Sequence, residues 1–417
     1  MSIQLAPDDS IELRQNCYSA VRYVGTYDRT YYAYVTSDKV YVNYYDHDTH
    51  DIGTPSLLYT YASVDIHGAP SLCIPTSGTH AGKVIVFYAL HTSVLYCRRA
   101  TTAESISAWV SGVTVESSLV ATYPNPRIMS NGDIWLFYRR YNSSTTGSDE
   151  VYRVSSDGGS TWGDYITVAS AGPDVVYATV SNIIDDEVHV CWYTYDYSEA
   201  RSRDVRHIYT TNKTDWYDTA GTGITLPATE SVPTIITSHE NASDYQSDAL
   251  LVSSGDLRVL IHHRHLPGFV PIETYYCIKE SGVWSLKTID TPAGSEGGQI
   301  DPEYPFMFVI PEDDPDYSVY DSRLVVISSD DSGTTWNKAG LTDYSGGSWG
   351  IHNPCYVRNG SGSMRIFATH MIDYTSSTDW NTAGIYGYAT LVAVADTDHV
   401  DLSWMDGTRT LIERLVV

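Results

Sequence analysis

Four residues carry side chains able to hold a carboxylate or move a proton, and they fall in two neighbouring, similarly built stretches. His67 stands in SVDIHGAPSL, between an aspartate and a Gly-Ala-Pro turn. His91 closes the apolar run VIVFYALH. Tyr123 opens YPNP, and Arg139 lies at the end of WLFYRR. Arginine grips a carboxylate through two parallel N–H bonds. Histidine and tyrosine can transfer protons. Together these groups suit β-elimination on a uronic-acid sugar. Arginine neutralises the carboxylate and so acidifies the C5 proton. Histidine or tyrosine removes that proton, and tyrosine protonates the departing O4. The chemistry requires no metal and no nucleophile.

More groups of the same kind recur further along. Tyr177, Arg206 and His207 belong to the next stretch. The run HHRH holds His262, His263, Arg264 and His265, and a last strand ends on His370. We assign Tyr177, Arg206, His207, Arg264 and His265 to substrate binding.

What would bring these residues together is a repeat. A turn residue, a short apolar strand, a Gly/Asn/Asp/Ser turn and a second apolar-aromatic strand recur from Tyr18, Ala69, Tyr123, Tyr177, Ser247, Tyr304 and Asn353. Spacings of roughly 50 to 70 residues signal a propeller or a solenoid. Units of about four short strands favour the propeller. The expectation is an all-β, seven-bladed β-propeller filling residues 1–417 as one domain. The N-terminal SIQLA and C-terminal TRTLIERLVV are expected to complete one blade, which removes two exposed strand edges. Residues at equivalent points of successive blades then converge at one end of the central channel.

A second repeat agrees. SSDGGSTW places Ser155, Asp157, Gly159 and Trp162 in the order S-x-D-x-G-x-x-W, and SDDSGTTW repeats it at Ser329, Asp331, Gly333 and Trp336. TTNKTDW, ending at Trp216, is a shortened copy that has lost the Asp and the Gly. This is the Asp-box of sialidase-like propellers. In it Asp binds local backbone and Gly takes a positive φ.

Composition fits strands. The 417 residues include 35 tyrosines and 10 tryptophans but only 18 % charged residues. A net charge of −26 opposes nucleic acid or an anionic membrane as partner, since phosphate binding needs a positive face. A few local arginines can still hold an acidic sugar. No apolar run reaches the length of a membrane helix, and no signal peptide is visible. The six scattered cysteines read as buried thiols.

The stretches DIHGAPSL, FYALH, TYPNPRIMSNGDIWLFYRR, SSDGGSTW and RDVRHIYTTNKTDWYDTAGTGITLP resemble the BNR-repeat propellers that include ulvan lyases and related polysaccharide lyases. The resemblance is closest over roughly residues 60–230. It implies a lyase acting outside the cell, secreted or virion-associated, on a uronate-containing and sulfated polymer. It also implies that Arg139 neutralises the carboxylate, with His67, His91 and Tyr123 as base and acid. Gly68 stands where that family usually has Asn.

Two alternatives share the fold: a sialidase-type hydrolase and a non-catalytic carbohydrate-binding propeller. The hydrolase would need an early Arg-Ile-Pro motif, and NPRIM is the nearest string. No cofactor is required for the elimination. A structural metal ion, zinc or calcium, is a further candidate, with His263, His265 and Cys277 as its ligands; the acidic stretch 311–321 lacks the calcium-loop pattern and reads as a solvated loop. A monomer is expected.

Overall fold

The computed structural model describes residues 2–389, except 7–9, 12–18, 37, 63–66, 200, 232–234, 238–241, 266–271, 290–296, 314–321, 342–349, 357–363 and 372–382. In the first 18 residues, at 241–245, 264–272 and 313–322, and from 350 onward, the description stops at the backbone.

Among the described residues every regular element is a strand, and the strands form a seven-bladed propeller. Blade 1 is Ala20–Val24, Asp28–Thr36, Lys39–Asp46 and Ser56–Thr60. Blade 4 is Val175–Val180, Val188–Asp196, Arg201–Thr210 and Trp216–Asp218. Blade 5 is Ala242–Ser253, Asp256–His265, Ile272–Glu280 and Val283–Ile289. Blade 6 runs from Gln299–Ile300 to Asn337–Gly340. The last sheet joins Gly350–Tyr356, Met364–Met371 and Ala383–Ala389 to the N-terminal strand Ser2–Ala6, with Ser2 opposite Tyr388. TRTLIERLVV lies outside the described residues.

Blades 2 and 3 share a strand. Val113–Ile128 begins on the rim of blade 2, beside Ser93–Arg99. It ends as the inner strand of blade 3, beside Ile134–Asn142. With one further bridge, Ser148 to Val175, blades 2, 3 and 4 join into a single network of 13 strands.

Both faces of each blade are covered by neighbours, so the central strands read as continuous apolar runs. Ile85–Tyr88 is buried at every position. Trp135, Phe137 and Tyr152 of blade 3 pack on Val176, Ala178 and Trp192 of blade 4. Full burial of one such side chain contributes about 1.5–3 kcal/mol. Polar bonds tie the blades together. Arg127 donates to the carbonyls of Val180 and Ser181, and Asn182 exchanges bonds with Leu251.

The Asp-box turns are built as expected. Asp157 accepts from the Ser155 hydroxyl and from the Ser160 and Thr161 amides, and Gly158 and Gly159 have φ of 67° and 84°. Trp162 packs edge-on to Phe87 of the preceding blade. At the shortened copy, Asn212 does the work of the missing aspartate. Its Oδ1 accepts from the Thr214 and Asp215 amides at 3.0 and 2.8 Å. Cys73, Cys97, Cys191 and Cys277 are buried thiols that form no disulfide.

Candidate active site

In an antiparallel blade, the start of the first strand and the end of the second lie at the same end. Tyr123 and Tyr177 occupy the first kind of position in blades 3 and 4. Arg139 occupies the second kind in blade 3, and His91 sits just past it in blade 2, in the turn between Ile85–Tyr88 and Ser93–Arg99. His67 precedes the first strand of blade 2, Ser71–Cys73.

The five side chains form one cluster. The rings of His67 and His91 are 4.4 Å apart, and His67 lies 5.7 Å from the Tyr123 ring. Tyr123 and Tyr177 are 6.5 Å apart. The Arg139 guanidinium bridges them, 4.7 Å from the Tyr123 ring and 4.6 Å from the Tyr177 ring. Such contacts hold an arginine in place without consuming its N–H donors. Arg139 is 5 % exposed, and its Nη1 has no hydrogen-bond partner among the described residues.

Tyr123 is held under strain. Its φ is 58°, a left-handed conformation costing a bulky residue about 1–3 kcal/mol. The cause is local. Pro124 has no N–H for the ladder, and the register with the next strand slips between Thr122 and Asn125. The Thr122 hydroxyl accepts from the Thr92 amide at 2.9 Å, which ties the His91 turn to this bulge. Strain of this kind persists where it aims a side chain.

A cavity of about 360 Å³ opens beside the cluster, lined by His91, Thr92, Leu119, Arg139, Tyr177 and Tyr197 among others. Leu119 and Tyr197 are among the most exposed large hydrophobic side chains of the described residues, at 71 % and 65 %. A larger cavity, about 620 Å³, lies at Lys213, Asp215 and Trp216 and holds none of the five.

Other assigned residues fall elsewhere. His207 is fully buried, with Nε2 2.7 Å from His189 Nδ1 and Nδ1 2.8 Å from the Thr219 hydroxyl. It faces the blade interior, so its assignment to substrate is corrected. Arg206 is also buried, paired with Asp204 at 2.7 Å, and does not line the cavity. The side chains of Arg264, His265 and His370 lie outside the description.

The proposed zinc set is not assembled. Cys277 stands opposite Val259, four positions along the strand from His263, or about 13 Å. Cys277 is packed in an apolar cluster with Val259 and Ile261. Among the described residues no three His, Cys, Asp or Glu side chains gather as a metal site. In the acidic stretch, Glu312 is buried and bonded to Arg323 and Lys338 at 2.6 and 2.7 Å.

One residue escaped the sequence reading. Glu150 stands directly opposite Arg139 in the ladder and is 4 % exposed. Burial pushes its carboxyl up to about 8, against the pull of Arg139 and Arg127. The signal was present in the hairpin. Counting back from the turn, Asn142 pairs with Gly147 and Arg139 therefore with Glu150.

The fold is a seven-bladed propeller with Asp-box turns, and the Arg-Tyr-His cluster lies at one end of blades 2 to 4. The chain belongs to the BNR repeat-containing family, whose model matches residues 29–291. Its structure is similar to that of an ulvan lyase of polysaccharide lyase family PL25 bound to -[GlcA(1-4)Rha3S]-. There the TM-score is 0.72 at 16 % identity, covering 93 % of this chain and 96 % of that one. It is also similar to the polysaccharide lyase Uly1, with a TM-score of 0.61 at 12 % identity, covering 89 % and 90 %. An oligogalacturonate lyase in complex with manganese gives 0.50 at 12 % identity, covering 94 % and 93 %. No curated protein sequence matches the chain.

Proposed function

We propose that this protein is a polysaccharide lyase that cleaves a uronate-containing polymer by β-elimination. The observation that carries the reading is the Arg139 guanidinium, buried between two tyrosine rings with Nη1 unpartnered among the described residues, at the edge of a cavity. A buried cation of this kind accommodates a carboxylate. Three propellers of similar fold are described as polysaccharide lyases or an oligogalacturonate lyase, which supports the same class.

In the proposed reaction the sugar carboxylate pairs with Arg139. Pairing stabilises the negative charge that develops when C5 loses its proton. The proton passes to His67, His91 or Tyr123. The C5–H electron pair becomes the C4–C5 double bond as the C4–O4 bond breaks, and O4 takes a proton from the remaining partner. Tyr123, strained and in contact with both Arg139 and His67, is the group best placed to serve the leaving oxygen. Tyr177 holds Arg139 from its other side. A polymeric substrate of this kind is met outside the cell, and sulfated, ulvan-like polymers are the first to test.

The test is incubation with uronate polymers, ulvan included, while following ultraviolet absorbance of the unsaturated product. Growing absorbance with new reducing ends is expected. New reducing ends without absorbance would mean hydrolysis. Binding without either would mean a carbohydrate-binding propeller.

A further inference from the structure

Glu150 and Arg139 are cross-strand partners, so their side chains leave the same face of the sheet from neighbouring positions. Both are almost wholly buried. Yet the guanidinium is spread between the Tyr123 and Tyr177 rings, and Nη1 stays unbonded among the described residues. Arg127, the other cation acting on Glu150, is committed elsewhere. Its nitrogens bond the carbonyls of Pro126, Val180 and Ser181 and the Asn125 side chain. The outer strand places Ala169 opposite Glu150, blade 4 sets the Tyr177 ring against Arg139, and Asp149 leaves the opposite face. Arg139 is therefore the cation that Glu150 can claim.

We propose that Glu150 is a positioning residue that governs whether Arg139 is open to a substrate carboxylate. As the neutral acid it leaves the guanidinium fork free, and as the carboxylate it draws the fork onto itself. This rests on the reading that Arg139 binds the uronate. Burial already holds Glu150 in the neutral form through the neutral range, up to about pH 8. Above that, its proton leaves to solvent and the substrate must compete with an internal anion.

The experiment compares the wild-type protein with E150Q between about pH 6 and about pH 10. An oligoglucuronate is the probe. Affinity is read by calorimetry, and KM and kcat by product absorbance. In the wild type, Kd and KM should rise about tenfold per pH unit above about 8, with kcat changing less. In E150Q the rise should vanish, because the amide cannot ionise. Difference infrared spectra of the wild type should show one protonated carboxyl band lost with that midpoint, a readout that does not depend on the variant folding. A flat wild-type profile, or a rise that persists in E150Q, overturns the proposal. Binding with the expected pH profile but no turnover overturns the lyase reading and leaves Glu150 its role. Neither binding nor turnover at any pH overturns both.

Discussion

Among the described residues two pairs of histidine rings lie against each other, and their surroundings are opposite. His67 and His91 sit at loop positions, His91 lining a cavity, beside a strained tyrosine and an arginine with a spare donor among the described residues. His189 and His207 lie inside blade 4, 0 % exposed, in a closed chain. Glu187 bonds His189 at 2.6 Å, His189 bonds His207, and His207 bonds Thr219. Glu187 also takes the Ser254 hydroxyl and the Gly255 amide of blade 5. One pair lies at the blade ends beside a cavity, and the other holds two blades together. Residue type does not separate the two pairs; their place in the blade does.

The sharpest way to break this contrast is to truncate each pair's key partner. Arg139→Ala should cut kcat/KM about 10³-fold with little change in Tm, by product absorbance and scanning calorimetry. Unfolding instead would make Arg139 a structural group. Tyr123→Phe should cost about 10²–10³ in kcat while oligosaccharide affinity survives, and full activity would remove tyrosine from the proton path. Glu187→Ala should do the reverse. It should destabilise the fold by about 3 kcal/mol in urea, because it leaves buried donors unpaired, yet spare the kcat of the folded fraction.

Acid should expose the same difference. Burial, reinforced for His207 by His189 and Lys279, holds both inner histidines below the usual imidazole range. The unfolded chain takes up those protons near pH 6.5 and the native state resists, so stability falls as pH drops below about 6.5. Burial works to raise the Glu187 carboxyl, but bonds from His189, Ser254 and Gly255 hold it at about 2. Its contribution is whole above about pH 4.5 and fades as pH falls toward about 2. Urea titrations from about pH 7 down to about pH 4 should show the histidine part, and a flat profile would argue against buried neutral rings. The smallest effect is at the third Asp-box. Asn212→Ala should cost about 1 kcal/mol, and Asn212→Asp should keep the turn.

Much of this was legible in the sequence. His67, His91, Tyr123, Arg139 and Tyr177 stand at equivalent points of a repeat, and repeats converge by geometry. His207 follows the same rule of type but not of facing. A strand alternates sides at each residue, and nothing in RDVRHIYT says which side meets water. Glu150 was hidden among 51 acidic residues, since only cross-strand register brings it to Arg139. Asn212 looked like decay because the aspartate was gone, although an amide oxygen accepts the same backbone bonds.

The strand Val113–Ile128 belongs to two blades at once, and this sets the unit in which the molecule opens. An amide-exchange experiment should find its rim half and its axial half, including the residues flanking Tyr123, protected to a similar degree. Loosening the edge of blade 2 then changes how long the Tyr123 bulge stays closed. Two residues of the cluster from one blade and two from the next are thus released or kept by a single opening event.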